Sequence, residues 1–201
     1  MNKCIHPIAP LLLALLPLAP ARAADEDDGD TSGRTPDVVY VGSPNDVVAK
    51  MLELVDVKKD DLLYDLGCGD GRIVVMAAKK YGCRAVGYDI NPVRIRESIA
   101  NIKRNGVGDL AKVERRDVFT LDLSPASVIT LYLLPEMNVK LIPQLEQLKP
   151  GARIVAHDYG IRGVVPEKTL TMDSKVDGVP HYIYLYTAPL KKRNKTEAED
   201  E

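Results

Sequence analysis

A short apolar run, Leu62-Leu63-Tyr64-Asp65-Leu66, leads directly into Gly67-Cys68-Gly69-Asp70-Gly71-Arg72, and a helical pattern over residues 73–81 follows at once. A strand that turns through glycines into a helix is the opening of a βα unit, whose next strand lies parallel to the first. The alternation continues along the chain. Gly82 stops the helix, residues 84–90 form a second strand, and Asn91-Pro92 opens a helix with Ile95, Ile99 and Ile102 inward, ended by Gly106. Further strands are expected over 112–118, 128–134 and 153–159; the nearly unbroken apolar run at 128–134 suits a parallel sheet covered on both faces. Residues 135–148 are helical in composition, divided or kinked by Pro143. Before the glycine turn, Ser43-Pro44-Asn45-Asp46 offers a capping Ser, a Pro at the first helical position and an early acid; Val47, Val48, Met51, Leu52 and Val55 then share one face. Residues 169–176 and 181–187 have strand character with no helix between them. Five βα units and a closing hairpin predict a doubly wound α/β fold: a mostly parallel seven-stranded sheet with a C-terminal antiparallel hairpin.

Ligands of such sheets lie at the carboxyl ends of the strands, which here carry residues 67–71, Asp89, Asp117, residues 132–135 and His157-Asp158. A glycine-rich turn alone leaves two adenosine cofactors open. The dinucleotide fingerprint wants a third small residue where Arg72 stands, and Asp70 inside the loop with Asp65 before it would repel a pyrophosphate. The ammonium and sulfonium of S-adenosylmethionine suit those acids, so a nicotinamide cofactor ranks last. Asp89 follows Gly67 by 22 residues, a spacing that serves the ribose hydroxyls of either cofactor. Asp117 is placed for the adenine amino group, with Val118 and Ile90 sandwiching the ring; the competing reading of both acids is loop capping.

The ends of the chain read differently. Lys3, an apolar run over 8–18 and Ala21-Arg22-Ala23 form an export signal over residues 1–23, too short and too Pro-interrupted to span a bilayer. A mitochondrial-type presequence fits less well because basic residues are few. Cleavage would remove Lys3 and Arg22 from the 27 basic residues and none of the 29 acids, giving a mature net charge of −4. That balance argues against a nucleic-acid partner. Residues 24–37 read as a disordered acidic N-terminus, 38–189 as the folded domain and 190–201 as a polar tail. Cys68 and Cys83 match no metal spacing and read as free, small hydrophobes; no metal is expected.

Asp-Leu-Gly-Cys-Gly-Asp-Gly-Arg at 65–72, Gly-Tyr-Asp-Ile-Asn-Pro at 87–92 and Arg-Asp-Val-Phe at 116–119 resemble class I methyltransferases. Three further segments narrow the resemblance: Tyr40-Val41-Gly42-Ser43-Pro44, the run Val128-Ile129-Thr130-Leu131-Tyr132-Leu133-Leu134-Pro135-Glu136, and Leu148 through Tyr159. Together they are similar to the seven-β-strand lysine methyltransferases of mitochondrial proteins and their bacterial relatives. The resemblance implies S-adenosylmethionine as cofactor, held by Tyr40, Asp65, Gly67, Cys68, Gly69, Asp70, Gly71, Asp89, Ile90, Asp117 and Val118, and a protein lysine as acceptor. Ser124 and Ser127 depart from it, standing where many class I enzymes carry an acid.

Methyl transfer is an in-line displacement, so alignment and exclusion of water dominate. A lysine must also be neutral when it attacks. Tyr132, Glu136 and Asp158 are the candidate acceptor-side residues, and His157 is either a base or a structural histidine. Competing readings are a small-molecule acceptor and a cofactor-binding module without turnover. The signal implies an exported or periplasmic protein with no membrane span once cleaved. Its cofactor is made inside the cell, so a retained anchor or a misassigned start, with a cytoplasmic product, are the alternatives.

Overall fold

The computed structural model describes residues 39–193. The expected signal, the acidic segment over 24–37 and most of the polar tail therefore lie outside the described residues. Helix α1 (Asn45–Leu54) is followed by β1 (Leu62–Leu66), α2 (Arg72–Tyr81), β2 (Arg84–Asp89), α3 (Pro92–Asn105) and β3 (Ala111–Arg115). Then come β4 (Val128–Leu131), α4 (Pro135–Lys140), α5 (Ile142–Leu145), β5 (Arg153–His157), β6 (Lys168–Asp173) and β7 (Pro180–Thr187). The seven strands form one sheet in the order β3-β2-β1-β4-β5-β7-β6. β1 to β5 are parallel, and β7 pairs antiparallel with both β5 and β6. The direction of crossover reverses between β1 and β4, which opens a crevice at their carboxyl ends.

Alternate side chains of each strand serve opposite faces. Leu63, Ala85, Val128 and Val155 meet the apolar stripes of α1 and α2. Tyr64, Val86, Ile129 and Ile154 instead meet Leu141 and Leu145 of the α4–α5 layer and Leu121 and Leu123 of the segment before β4. Both layers are apolar, as continuous apolar strands require. The amino ends of the strands are tied by polar groups: Ser127 donates to Asp61 (2.7 Å) and accepts from the Leu62 amide (2.9 Å), while Arg153 pairs with Asp61 and donates to the carbonyls of Val55 and Asp56. Ser127 thus has a structural role at the end of the sheet far from the crevice.

Four local expectations are corrected. Ser43 does not cap α1: Pro44 stands at the cap position, and the Ser43 hydroxyl bonds His157 Nδ1 at 2.7 Å. Ile99 is 53% exposed, because α3 is rotated to put Ser98, fully buried, against the glycine loop, where its hydroxyl donates to the Gly69 carbonyl. β3 ends at Arg115 and is followed by a 3₁₀ turn (Val118–Thr120) instead of a helix, because the Asp117 side chain accepts from the Phe119 amide and starts the turn. The start of the expected tail is held down: Lys191 and Arg193 exchange backbone hydrogen bonds with Val165 and Gly163. Cys68 and Cys83 are buried and free, and Pro143 stands in the first turn of α5, the second half of the divided helix.

Candidate active site

The glycine loop has left-handed backbone at Gly67 (φ 78°), Gly69 (φ 54°) and Gly71 (φ 74°). A side chain at Gly69 would collide with the Tyr40 ring, and one at Gly67 would come within 2.7 Å of Leu133. Only glycine serves at these two positions. The loop's amides face inward. Gly67 and Cys68 donate to the Tyr88 carbonyl, Gly71 to the Cys68 carbonyl, Gly69 to Asp89 (2.9 Å) and Arg72 to Asp70. A pyrophosphate site needs these N–H groups directed at the ligand. Here those of Gly67, Cys68, Gly69, Gly71 and Arg72 are engaged, which is a stronger objection to a dinucleotide than the charge of Asp70.

That charge is itself answered. Arg72 grips Asp70 through Nε (2.9 Å) and Nη2 (2.8 Å), donates to the Ser43 carbonyl (2.7 Å) and reaches the Tyr40 hydroxyl (3.1 Å). Burial would raise the Asp70 carboxyl, but Arg72 outweighs it and holds it below the usual range. Arg72 therefore fastens the segment around Tyr40 onto the loop, and Arg94 lies over the Tyr40 ring at 4.6 Å.

Two adjoining cavities share Tyr40, Val41, Gly67 and Tyr132. The larger is walled by Asp89, Ile90, Asp117, Val118 and Leu133, the smaller by Ser43, Asp65, Cys68 and Asp70. Asp89 accepts from the Gly69 and Asn91 amides, one on each oxygen, and each oxygen keeps a second lone pair for a ligand hydroxyl. Loop capping and ligand binding are thus compatible at Asp89. Asp65 is more unusual. It is buried; Oδ1 accepts from Thr130 at 2.6 Å, while Oδ2 faces no hydrogen-bond partner. Burial, with Asp89 and Asp70 nearby, pushes its carboxyl up to about 7.

On the acceptor side, Tyr132 directly follows β4, with its ring 4.0 Å from that of His157 and its hydroxyl donating to Asp158 Oδ2 at 3.3 Å. Asp158 has φ 55°, a conformation Asp tolerates better than most residues, and its Oδ1 accepts from the Tyr182 amide. His157 is fully buried, and burial lowers it to about 4. Glu136 is not brought to the crevice. Its carboxylate points outward from the first turn of α4 to an exposed ion pair with Arg162.

Residues 65–168, just over half of the chain, match the family of the ANTKMT methyltransferase domain. The chain belongs to that family. A protein-lysine N-methyltransferase of Saccharolobus islandicus is 47% identical over 154 residues, covering 75% of this chain and 94% of the relative. A human lysine N-methyltransferase, named for an ATP synthase component, is 40% identical over 95 residues, 47% of this chain and 40% of the human protein. The solved structure of an RNA methyltransferase from Salinibacter ruber, in complex with S-adenosyl-L-homocysteine, superposes with a TM-score of 0.70 at 42% identity, over 77% of this chain and 97% of that one.

This ANTKMT-type protein is an S-adenosylmethionine-dependent methyltransferase, and its crevice fits the cofactor. The orphaned Asp65 Oδ2 suits the ammonium, Asp89 the ribose diol, and Ile90, Asp117 and Val118 the adenine. Gly67 to Gly71 shape the wall. Tyr40 closes over the loop, and the expected cofactor residues other than Gly69 and Gly71 each line one of the two cavities. Residues missed from sequence are Ser43, Arg72, Arg94 and Ser98, and His181 beside His157. His181 had a signal: outside the expected export segment it is the only histidine besides His157, and it sits at strand register opposite the segment that carries Asp158.

Proposed function

We propose that this methyltransferase acts on the ε-amine of a lysine in a protein. The observation that carries the reading is Tyr132, a phenol shared by both cavities and fixed from behind by His157 and Asp158. An aromatic face stabilises an approaching ammonium, and the phenol oxygen, its proton directed to Asp158, offers a lone pair to an amine N–H. The names of the Saccharolobus and human relatives support the same acceptor. A net charge of −2 disfavours the RNA acceptor in the name of the Salinibacter protein.

The bound cofactor supplies a methyl group on a sulfonium already primed to leave. Asp65 would hold its ammonium end and Asp89 its ribose hydroxyls. Tyr40, strapped down by Arg72, excludes water from the loop side. Tyr132 orients the acceptor nitrogen, whose proton departs to solvent before attack. The apolar run over 8–18 supports export of the protein, and sequencing the mature N-terminus from fractionated cells tests it.

The decisive experiment supplies labelled S-adenosylmethionine to the protein with separated protein, RNA and metabolite fractions. Label should enter the protein fraction on lysine and vanish with Asp89→Ala. Label in RNA or in small molecules would replace the lysine reading, and binding without any transfer would leave a cofactor-binding module.

A further inference from the structure

His157 Nε2, His181 Nδ1 and Asp158 Oδ2 form a closed triangle with edges of 2.9, 3.1 and 3.3 Å. We propose that these three atoms bind one divalent transition-metal ion, at a site distinct from the cofactor crevice.

The outer contacts of the two imidazoles carry the argument. Asp177 is a carboxylate that can only accept, so His181 Nε2 holds its proton toward Asp177 Oδ2 at 3.1 Å. In its neutral form His181 presents the lone pair of Nδ1 inward, at the Asp158 oxygen; Asp158 and Asp177 together favour a second proton on that nitrogen, and a metal ion would take that proton's place. His157 Nδ1 is likewise engaged on its far side by the Ser43 hydroxyl at 2.7 Å, which can accept its proton and leave Nε2 as a lone pair. With the second proton of His181 displaced, three electron-pair donors converge on the centre of the triangle. A second proton on His181 would have one N–H axis for two acceptors, Asp158 and His157. A single cation serves all three.

The dimensions agree. An ion about 2.1 Å from each donor needs donor atoms roughly 3.0–3.4 Å apart for octahedral or tetrahedral angles, close to the observed edges. A carboxylate or hydroxyl holding the far nitrogen of each histidine is the usual support of a metal-bound imidazole. Two imidazoles and one carboxylate select zinc, cobalt, nickel or iron over magnesium and calcium. Asp158 is 22% exposed and lines an outer cavity with Tyr159 and Tyr184, which provides access and room for remaining ligands. The ion would tie the end of β5 to β7 and fix Asp158, which in turn holds Tyr132.

The test uses the full chain, stripped with a chelator, and Co²⁺ as the probe. Visible d–d absorption should saturate at one equivalent per chain, and Zn²⁺ should abolish it. His181→Gln and Asp158→Asn should weaken Co²⁺ binding at least tenfold, and Asp177→Asn, which leaves all three donors in place, should weaken it about tenfold. Asp122→Asn, an exposed acid elsewhere, should change nothing. Far-UV circular dichroism and cofactor binding identify any variant that fails to fold, and the remaining variants then decide. No stoichiometric Co²⁺ spectrum in the wild type overturns the proposal and assigns the cluster to a protonated His181. So does a spectrum that survives in His181→Gln or Asp158→Asn.

Discussion

Asp65 lies at the carboxyl end of β1, with one oxygen satisfied by Thr130 and the other facing no partner. Its folded pKa, about 7, lies above its unfolded value. Between the two, the native state keeps a proton that the unfolded chain has released, so stability falls as pH rises from about 4 to about 7. Asp65→Asn should therefore flatten the pH dependence of urea unfolding and make the ligand-free protein more stable than wild type at pH 8. The same change should weaken S-adenosylmethionine binding by about 1.5–3 kcal/mol, the usual worth of a hydrogen bond to a charged group. Because an ammonium beside the carboxyl favours its ionised form, cofactor binding at pH 6 should release a proton. Calorimetry in buffers of different ionisation enthalpy measures that release, and it should be absent in Asp65→Asn. Gly69 is the other residue whose chemistry is narrow: Gly69→Ala adds a Cβ at φ 54° against the Tyr40 ring. Such strain costs about 1–3 kcal/mol, and cofactor binding should fall with stability, since Tyr40 must move.

At the scale of elements, the two ends of the sheet divide the work. The carboxyl ends hold the crevice, and the amino ends hold Arg153, Asp61 and Ser127. Asp61 is buried, so Arg153→Ala leaves an uncompensated charge and should destabilise the fold by about 3 kcal/mol. Urea unfolding checks the loss, and cofactor affinity of the folded fraction should be unchanged. The elements themselves were readable from sequence where one pattern dominated. β1, α2 and the β6–β7 hairpin stand close to where apolar periodicity and Gly82 put them, and Asp65, Asp89 and Tyr40 do meet at the loop. What sequence did not reveal depends on partners far along the chain. Ser43 has good capping chemistry, yet a histidine 114 residues away takes its hydroxyl. Ile99 looks inward by spacing, but the loop's need for a small hydroxyl at Ser98 sets the rotation of α3. Glu136 stands next to the motif and points away from it, because the first turn of a helix directs side chains to both sides. The Asp158–His181 contact joins the segment after β5 to β7 and has no local pattern, although Asp177 stands only four residues before His181.

For the molecule as a whole, the crevice sits at the carboxyl ends of strands that both apolar layers share, so a ligand bound there stabilises the folded state. At a hundred times its dissociation constant, S-adenosylmethionine should add about 2.7 kcal/mol, a rise in Tm of roughly 5–10 °C for a domain of this size. NAD at the same concentration should leave Tm unchanged, because the loop amides that would meet its pyrophosphate are engaged. A shift with NAD and none with S-adenosylmethionine would contradict the assignment of the crevice.

The placement of β7 between β5 and β6 also matters while the chain is being made. β5 joins β4 early, but its other edge is covered only by residues 180–187. On a ribosome, or on any path that feeds the polypeptide from its amino end, that edge stays open until nearly the whole domain has emerged. An uncovered strand edge is a template for pairing with other chains. The nascent protein is thus exposed to aggregation, and available to chaperones, up to the arrival of one late strand.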